Sequence, residues 1–231
     1  MGSIKRTDIL IIFFFIAYLA VLSACNTNFI VSDKPVPESG MGKILIMPVM
    51  DMAAVYGEKI SVRCPICGKI FLTGKADPEA SRMLTEQVFK ILKKNGKYNL
   101  LFLGMAEGVM TDLLAENTKD VSERDLLVKA GRQVQAYAVM AGYLYRFKER
   151  IGKRYSVESP ASVAFGFHLV RVSDGRVLWG GNYDVTQRAL SENILQIGTF
   201  LKRKGKWVTV EEMTKEGLEK IFKSFRHVTG N

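Results

Sequence analysis

Two histidines and three cysteines are all that the 231 residues offer of those types, and that scarcity closes off much chemistry at once. A zinc ribbon needs two Cys-x-x-Cys pairs, and only Cys64 and Cys67 form one. Neither His168 nor His227 lies at ligand spacing from that pair. The chain has no phosphate loop, no nucleophile elbow and no paired-carboxylate constellation. It has no internal repeat or low-complexity tract, and its glycines are scattered at turns. These absences leave no catalytic constellation, so the chain is not expected to be an enzyme.

A membrane-spanning run is also missing. The longest apolar stretch, Ile9 to Ser23, falls short of the about 20 residues a transmembrane helix needs. What it does fit is an export signal: Lys5 and Arg6 form a positive n-region and Ile9 to Val21 an apolar h-region. Leu22-Ser23-Ala24-Cys25 then resembles the lipobox of bacterial lipoproteins. The resemblance implies cleavage of residues 1–24, a diacylglyceryl group on the Cys25 sulfur and an acyl chain on its amine. Two or more chains anchor stably where one does not. In similar lipoproteins an Asp after the cysteine favours the inner membrane. Asn26 stands there instead and implies the periplasmic face of the outer membrane.

The chain carries 33 basic and 23 acidic residues, a net +10, and losing Lys5, Arg6 and Asp8 with the signal lowers this by only one. In a cytosolic protein such a balance would raise nucleic acid as a partner. Export removes that reading and leaves anionic lipid headgroups, acidic glycans or an acidic protein surface, beside plain solvated lysines. Hydrophobic content of 48% and charged content of 24% are ordinary for one globular domain.

Residues 25–42, with Pro35, Pro37, Gly40 and Gly42, read as a tether from the lipidated cysteine. At about 3.3 Å per residue it reaches roughly 50 Å. Residues 43–231 then form a periplasmic domain. Lys43 to Met50 is a continuous apolar run that suits a buried strand, with Pro48 near its end. Residues 59–63 and 69–73 make a small hairpin. Asp77-Pro78 starts a helix with Leu84, Val88, Ile91 and Leu92 on its apolar stripe, ending at Asn95-Gly96. Tyr98 to Leu103 is a second strand. Ser122-Glu123-Arg124-Asp125 reads as a capping box for a helix to about Gln135. Tyr137 to Lys148 is a long strand, apolar on both faces at its start and half exposed at its end. Ser162–Val172 and Arg176–Tyr183 form a hairpin through Asp174-Gly175. Thr209-Val210-Glu211-Glu212 opens a last helix with Met213, Gly217, Ile221 and Phe225 on one side. The order β-α-β-α-β-β-β-α predicts an α/β fold, a mixed sheet flanked by helices.

Four stretches together resemble a known family: the buried strand ending Met47-Pro48-Val49, Leu84 to Phe89, Ala136 to Leu144, and the hairpin Leu169 to Trp179. They are similar to the CsgG-like, PelC-like and LpoB-like periplasmic lipoproteins. The resemblance implies an α/β periplasmic domain without catalytic residues or cofactor, serving envelope assembly or secretion. It also implies an envelope protein or glycan as partner, or self-association into a homo-oligomer. The chain departs from pore-forming members. A spanning hairpin needs strands of about 9–11 alternating residues, whereas residues 55–73 hold Glu58, Lys59, Arg63 and Lys69 and are broken by Pro65.

Three sites stand out. Cys64-Pro65-Ile66-Cys67-Gly68-Lys69 favours a local disulfide between Cys64 and Cys67 in an oxidising compartment. The same pair leaves open a thiol-redox role or a four-thiolate metal site shared between subunits. Ser191 to Leu201 reads as an amphipathic helix followed by Lys202, Arg203, Lys204 and Lys206. That piece could lie on an anionic membrane or pack on the core with its cations at the helix end. Arg146 and Lys148, with Arg150, Lys153 and Arg154, form a second basic cluster that could meet an anionic partner or simply be solvated. His168, set between Phe167 and Leu169, reads as structural.

Overall fold

The computed structural model describes residues 29–31, 42–77, 79–94, 98–101, 104–106, 108, 121–152, 157–187 and 208–228. In chain order the elements are β1 (Phe29–Val31), β2 (Ile44–Ile46), β3 (Met50–Asp51), α1 (Met52–Tyr56), β4 (Ser61–Arg63), β5 (Ile70–Leu72) and α2 (Ala80–Lys94). Then come β6 (Leu100–Leu101), α3 (Glu123–Gln133), β7 (Ala138–Lys148), β8 (Ile151–Gly152), β9 (Val157–Ser159), β10 (Ser162–Arg171), β11 (Val177–Thr186) and α4 (Val210–Val228).

The main sheet runs β1-β11-β10-β7-β2-β6, with β3 also pairing β7. It is mixed: β2 and β3 run parallel to β7 and β6 runs parallel to β2, while β7, β10, β11 and β1 alternate in direction. Both β2 and β3 lie on β7 because Pro48, with no N–H to give, falls between them. The Val49 N–H there turns to Thr85 Oγ1, 2.9 Å away on α2.

Side chains alternate across the sheet and make two cores. On one face Met140, Leu144, Phe165, Phe167, Trp179 and Tyr183 pack with Leu84, Val88 and Leu92 of α2 and Met213, Ile221 and Phe225 of α4. On the other, Val139, Tyr143, Tyr145 and Val170 pack with Leu127 and Val128 of α3 and with Val62, Cys64, Ile66 and Phe71 of the β4–β5 hairpin. Each such fully buried large side chain contributes about 1.5–3 kcal/mol.

Local signals hold where expected. Ser122 Oγ accepts from the Asp125 N–H at 3.2 Å, and Asp77 Oδ1 from the Glu79 N–H at 2.9 Å. Thr209 and Glu212 exchange bonds, the Glu212 N–H to Thr209 Oγ1 at 3.2 Å and the Thr209 N–H to Glu212 Oε2 at 2.9 Å. Some elements differ from expectation. Within the stretch read as a tether, Phe29–Val31 is an edge strand whose residues pair Gly181, Gly180 and Trp179 of β11. The strand expected over Tyr98–Leu103 is described only at Leu100–Leu101. Helix α1, capped by Asp51 Oδ1, and the β8–β9 hairpin were not expected. The signal segment, Cys25, the 191–201 helix and the cations after it lie outside the described residues. No described helix is long and apolar enough to cross a membrane.

Candidate functional site

The β4–β5 hairpin carries the Cys-x-x-Cys word at its tip and lies over the second face of the sheet. The turn is tightly tied. The Cys64 N–H donates to the Lys69 carbonyl at 2.7 Å and the Gly68 N–H to the Cys64 carbonyl at 2.9 Å. Gly68 has φ +74°, the left-handed region that a glycine adopts without strain. Arg63 Nη1 donates to the Gly68 carbonyl at 3.0 Å, and Arg124 Nη2, from α3, to the Ile66 carbonyl at 3.1 Å. The Lys69 N–H hydrogen-bonds the Cys67 sulfur. The loop is held from both sides with its sulfurs facing the sheet.

What they face is His168. Cys64 Sγ lies 3.3 Å from His168 Nε2, and ligand atoms of Cys64, Cys67 and His168 all fall within 4.8 Å of one another. Cys64 and His168 are fully buried and Cys67 half-buried. The ring fits because its neighbours on that face are small. His168 pairs Ala141 on β7 and Gly180 on β11, and a Cβ at Gly180 would stand 2.9 Å from His168 Nδ1. A Cβ at Gly166, two residues before, would stand 2.5 Å from Asn182 Oδ1. Asn182 Nδ2 in turn lies 3.9 Å from Cys67 Sγ. Tyr143 approaches the imidazole at 6.1 Å between ring centroids and donates its hydroxyl to Glu123 Oε1 at 3.2 Å.

One expectation changes here. Cys64 and Cys67 are free cysteines in this structure, and the disulfide between them remains an expectation for an oxidising compartment. The turn engages the Cys67 thiol with Cys64 and sets Cys64 against His168. The exclusion of both histidines from the cysteine pair is corrected for His168, which crosses 104 positions of chain to reach it. The hydrogen bond from Cys67 draws the Cys64 thiol well below its ordinary value. Burial opposes the shift, and His168 adds to it. Cys67 moves up, since it donates to Cys64 and is itself partly desolvated. Burial pushes the Tyr143 and Tyr145 hydroxyls up as well.

The basic cluster is corrected at Arg146. Its side chain is only 13% exposed and is spent internally on Asp184 Oδ1 at 2.6 Å, the Leu72 carbonyl at 2.9 Å and Ser162 Oγ. Lys148, at the end of β7, is half-buried. An anionic partner therefore finds no free Arg146 there. Lys202, Arg203, Lys204 and Lys206 lie outside the described residues, as does Cys25.

No protein-family model and no curated protein matches the chain. Among solved structures it is similar to PelC from Paraburkholderia phytofirmans, a dodecamer, at 13% identity and TM-score 0.47, over 84% of this chain and 94% of that one. It is similar to the LpoB C-terminal domain from Salmonella enterica at 16% identity and TM-score 0.39, over 73% and 92%. The lipoprotein GNA1162 from Neisseria meningitidis is similar at 14% identity and TM-score 0.41, over 70% and 91%. LpoB and PelC belong to the group that the sequence resembles, and for the CsgG branch no such likeness is shown. At these scores and identities the likeness carries no argument about function.

Proposed function

We propose that this protein is a non-enzymatic, lipid-anchored lipoprotein of the bacterial cell envelope whose α/β domain binds an envelope assembly or secretion partner. The observation that carries the reading is Leu22-Ser23-Ala24-Cys25 behind Lys5, Arg6 and the apolar run Ile9–Val21. The lipid on Cys25 holds the domain at the periplasmic face of the outer membrane, the sorting that Asn26 supports. The partner is a protein rather than a glycan. Val55 and Tyr56 of α1, Ile60, and Ile70 and Leu72 on the outer face of the hairpin stand 47–58% exposed, and exposed apolar side chains suit a protein surface better than a polar glycan.

Metabolic labelling with a palmitate analogue, followed by separation of inner and outer membranes, tests the anchor. The wild type incorporates label and fractionates with the outer membrane, whereas Cys25→Ser does neither. Equal labelling and membrane association of Cys25→Ser would overturn the reading. A photocrosslinker placed at Ile70 in the native membrane tests the partner surface. One discrete adduct at Ile70 that is missing at Glu219, exposed on α4, supports it, and identical patterns at both positions reject it.

A further inference from the structure

We propose that Cys64, Cys67 and His168 form a mononuclear zinc site within a single chain, with the fourth coordination position left to water. A tetrahedral zinc with Zn–S of about 2.3 Å and Zn–N of about 2.0–2.1 Å sets its sulfur and nitrogen ligands about 3.6 Å apart and two sulfurs about 3.8 Å apart. The 3.3 Å between Cys64 Sγ and His168 Nε2, and the 4.8 Å limit on the whole set, lie within a small side-chain adjustment of those values. Two thiolates and an imidazole are a donor set that favours zinc over the magnesium, calcium and manganese ions that carboxylates prefer.

Three further features point to the same place. The Cys64–Lys69 turn presents both sulfurs to one side, and its Lys69 N–H bonds the Cys67 sulfur, where it offsets part of a bound thiolate's charge. Gly166, Gly180 and Ala141 clear the sheet around the imidazole. Two buried polar atoms without a hydrogen-bond partner among the described residues, His168 Nδ1 and Asn182 Oδ1, belong to this one cluster. Buried polar groups in native proteins find partners, and a metal-bound water gives Asn182 Oδ1 a donor. Cys67, the half-buried member, marks the side from which the ion enters. Binding releases the thiol protons and stitches the hairpin to strand β10, since two ligands come from the hairpin tip and the third from mid-strand. This assignment does not depend on the lipid anchor.

The test is elemental analysis and native mass spectrometry of the untagged, detergent-solubilised full chain purified without chelator, with X-ray absorption at the zinc edge. One zinc per chain with two sulfur ligands and one imidazole is expected, unchanged in Cys25→Ser. His168→Gln is expected to weaken zinc binding by more than the about 10–100-fold that loss of an outer partner costs. One zinc per two chains with four sulfurs overturns the proposal. So does a metal-free protein with a Cys64–Cys67 disulfide, or a wild-type affinity in His168→Gln. Should His168→Gln fail to fold, the wild-type absorption spectrum decides, because an all-sulfur shell contradicts the site and a mixed shell supports it.

Discussion

Phe71 lies flat on Tyr145, with ring centroids 4.0 Å apart and planes 10° from parallel. The contact joins β5 of the hairpin to β7 of the main sheet, and it fixes where the Cys64–Cys67 turn sits. Strands of three residues do not hold a hairpin in place by their own pairing. Docking through Phe71, which is buried, does. Phe71→Ala is expected to cost about 3–5 kcal/mol, with Phe71→Leu losing less because more volume remains. Denaturant unfolding gives the energy, and limited proteolysis over residues 57–73 reports release of the hairpin. A loss below about 1 kcal/mol would mean that the stack does not hold it.

Arg146 reaches three separate acceptors, on β10, β11 and β5, from one guanidinium. Arg146→Met is expected to lower stability by about 2 kcal/mol, since Asp184 is then left partly desolvated without its donor, while Ser162 keeps Thr186. Arg146→Lys keeps the charge but not the fork, and is expected to stay well below the wild type. A double-mutant cycle with Asp184→Asn isolates the pair, whose expected coupling is about 1 kcal/mol. Coupling indistinguishable from zero would return Arg146 to the solvated cluster that its sequence neighbours suggested.

Signals confined to a few adjacent residues were legible. The boxes at Ser122 and Thr209, the Asp174-Gly175 turn and the continuous apolar run at Ile44 each act through neighbours in sequence, and each sits where expected. Elements of two to five residues were not, because β1, β3 and α1 exist through pairing or capping that tertiary contact supplies. The site was hidden by register. The Arg171 N–H donates to the Arg176 carbonyl, and counting back from that bond pairs His168 with Trp179. A bulge between Leu169 and Val170 shifts the ladder by one, so His168 meets Gly180 and Trp179 turns to the opposite face against Phe222 and Phe225. The readable trace was the alternation Ala164, Gly166, His168 along β10, small residues clearing space beside a histidine.

Glu123 begins α3, where a negative charge is favoured by the helix dipole. Burial nonetheless raises its carboxyl above the ordinary range. The Tyr143 hydrogen bond opposes this, and the Cys64 sulfur adds to the rise. The folded chain thus holds this proton more tightly than the unfolded one. Stability from this group is lost as pH climbs from the ordinary carboxylate value, about 4.3, through the raised folded one. Glu123→Gln keeps an acceptor for Tyr143 and removes the charge. Its melting temperature is expected to exceed the wild type's at pH 7, with the gap closing toward pH 4. Thermal melts across that range check the sign, and parallel curves would show that Glu123 does not contribute the slope.

Gly217 sits mid-helix in α4, where replacement by alanine ordinarily gains about 1 kcal/mol. Here an added Cβ would stand 2.5, 2.7 and 2.8 Å from three ring carbons of Tyr183 on β11. Such overpacking costs about 1–3 kcal/mol, so the steric term wins and Gly217→Ala is expected to destabilise. The competition can be separated. In a Tyr183→Ala background the ring is gone, the clash goes with it, and only the helix preference remains. The same Gly217→Ala change is then expected to stabilise by about 1 kcal/mol. A sign reversal between the two backgrounds, read from urea midpoints, assigns the glycine to close packing of α4 on β11. The same sign in both would show that α4 stands off the sheet.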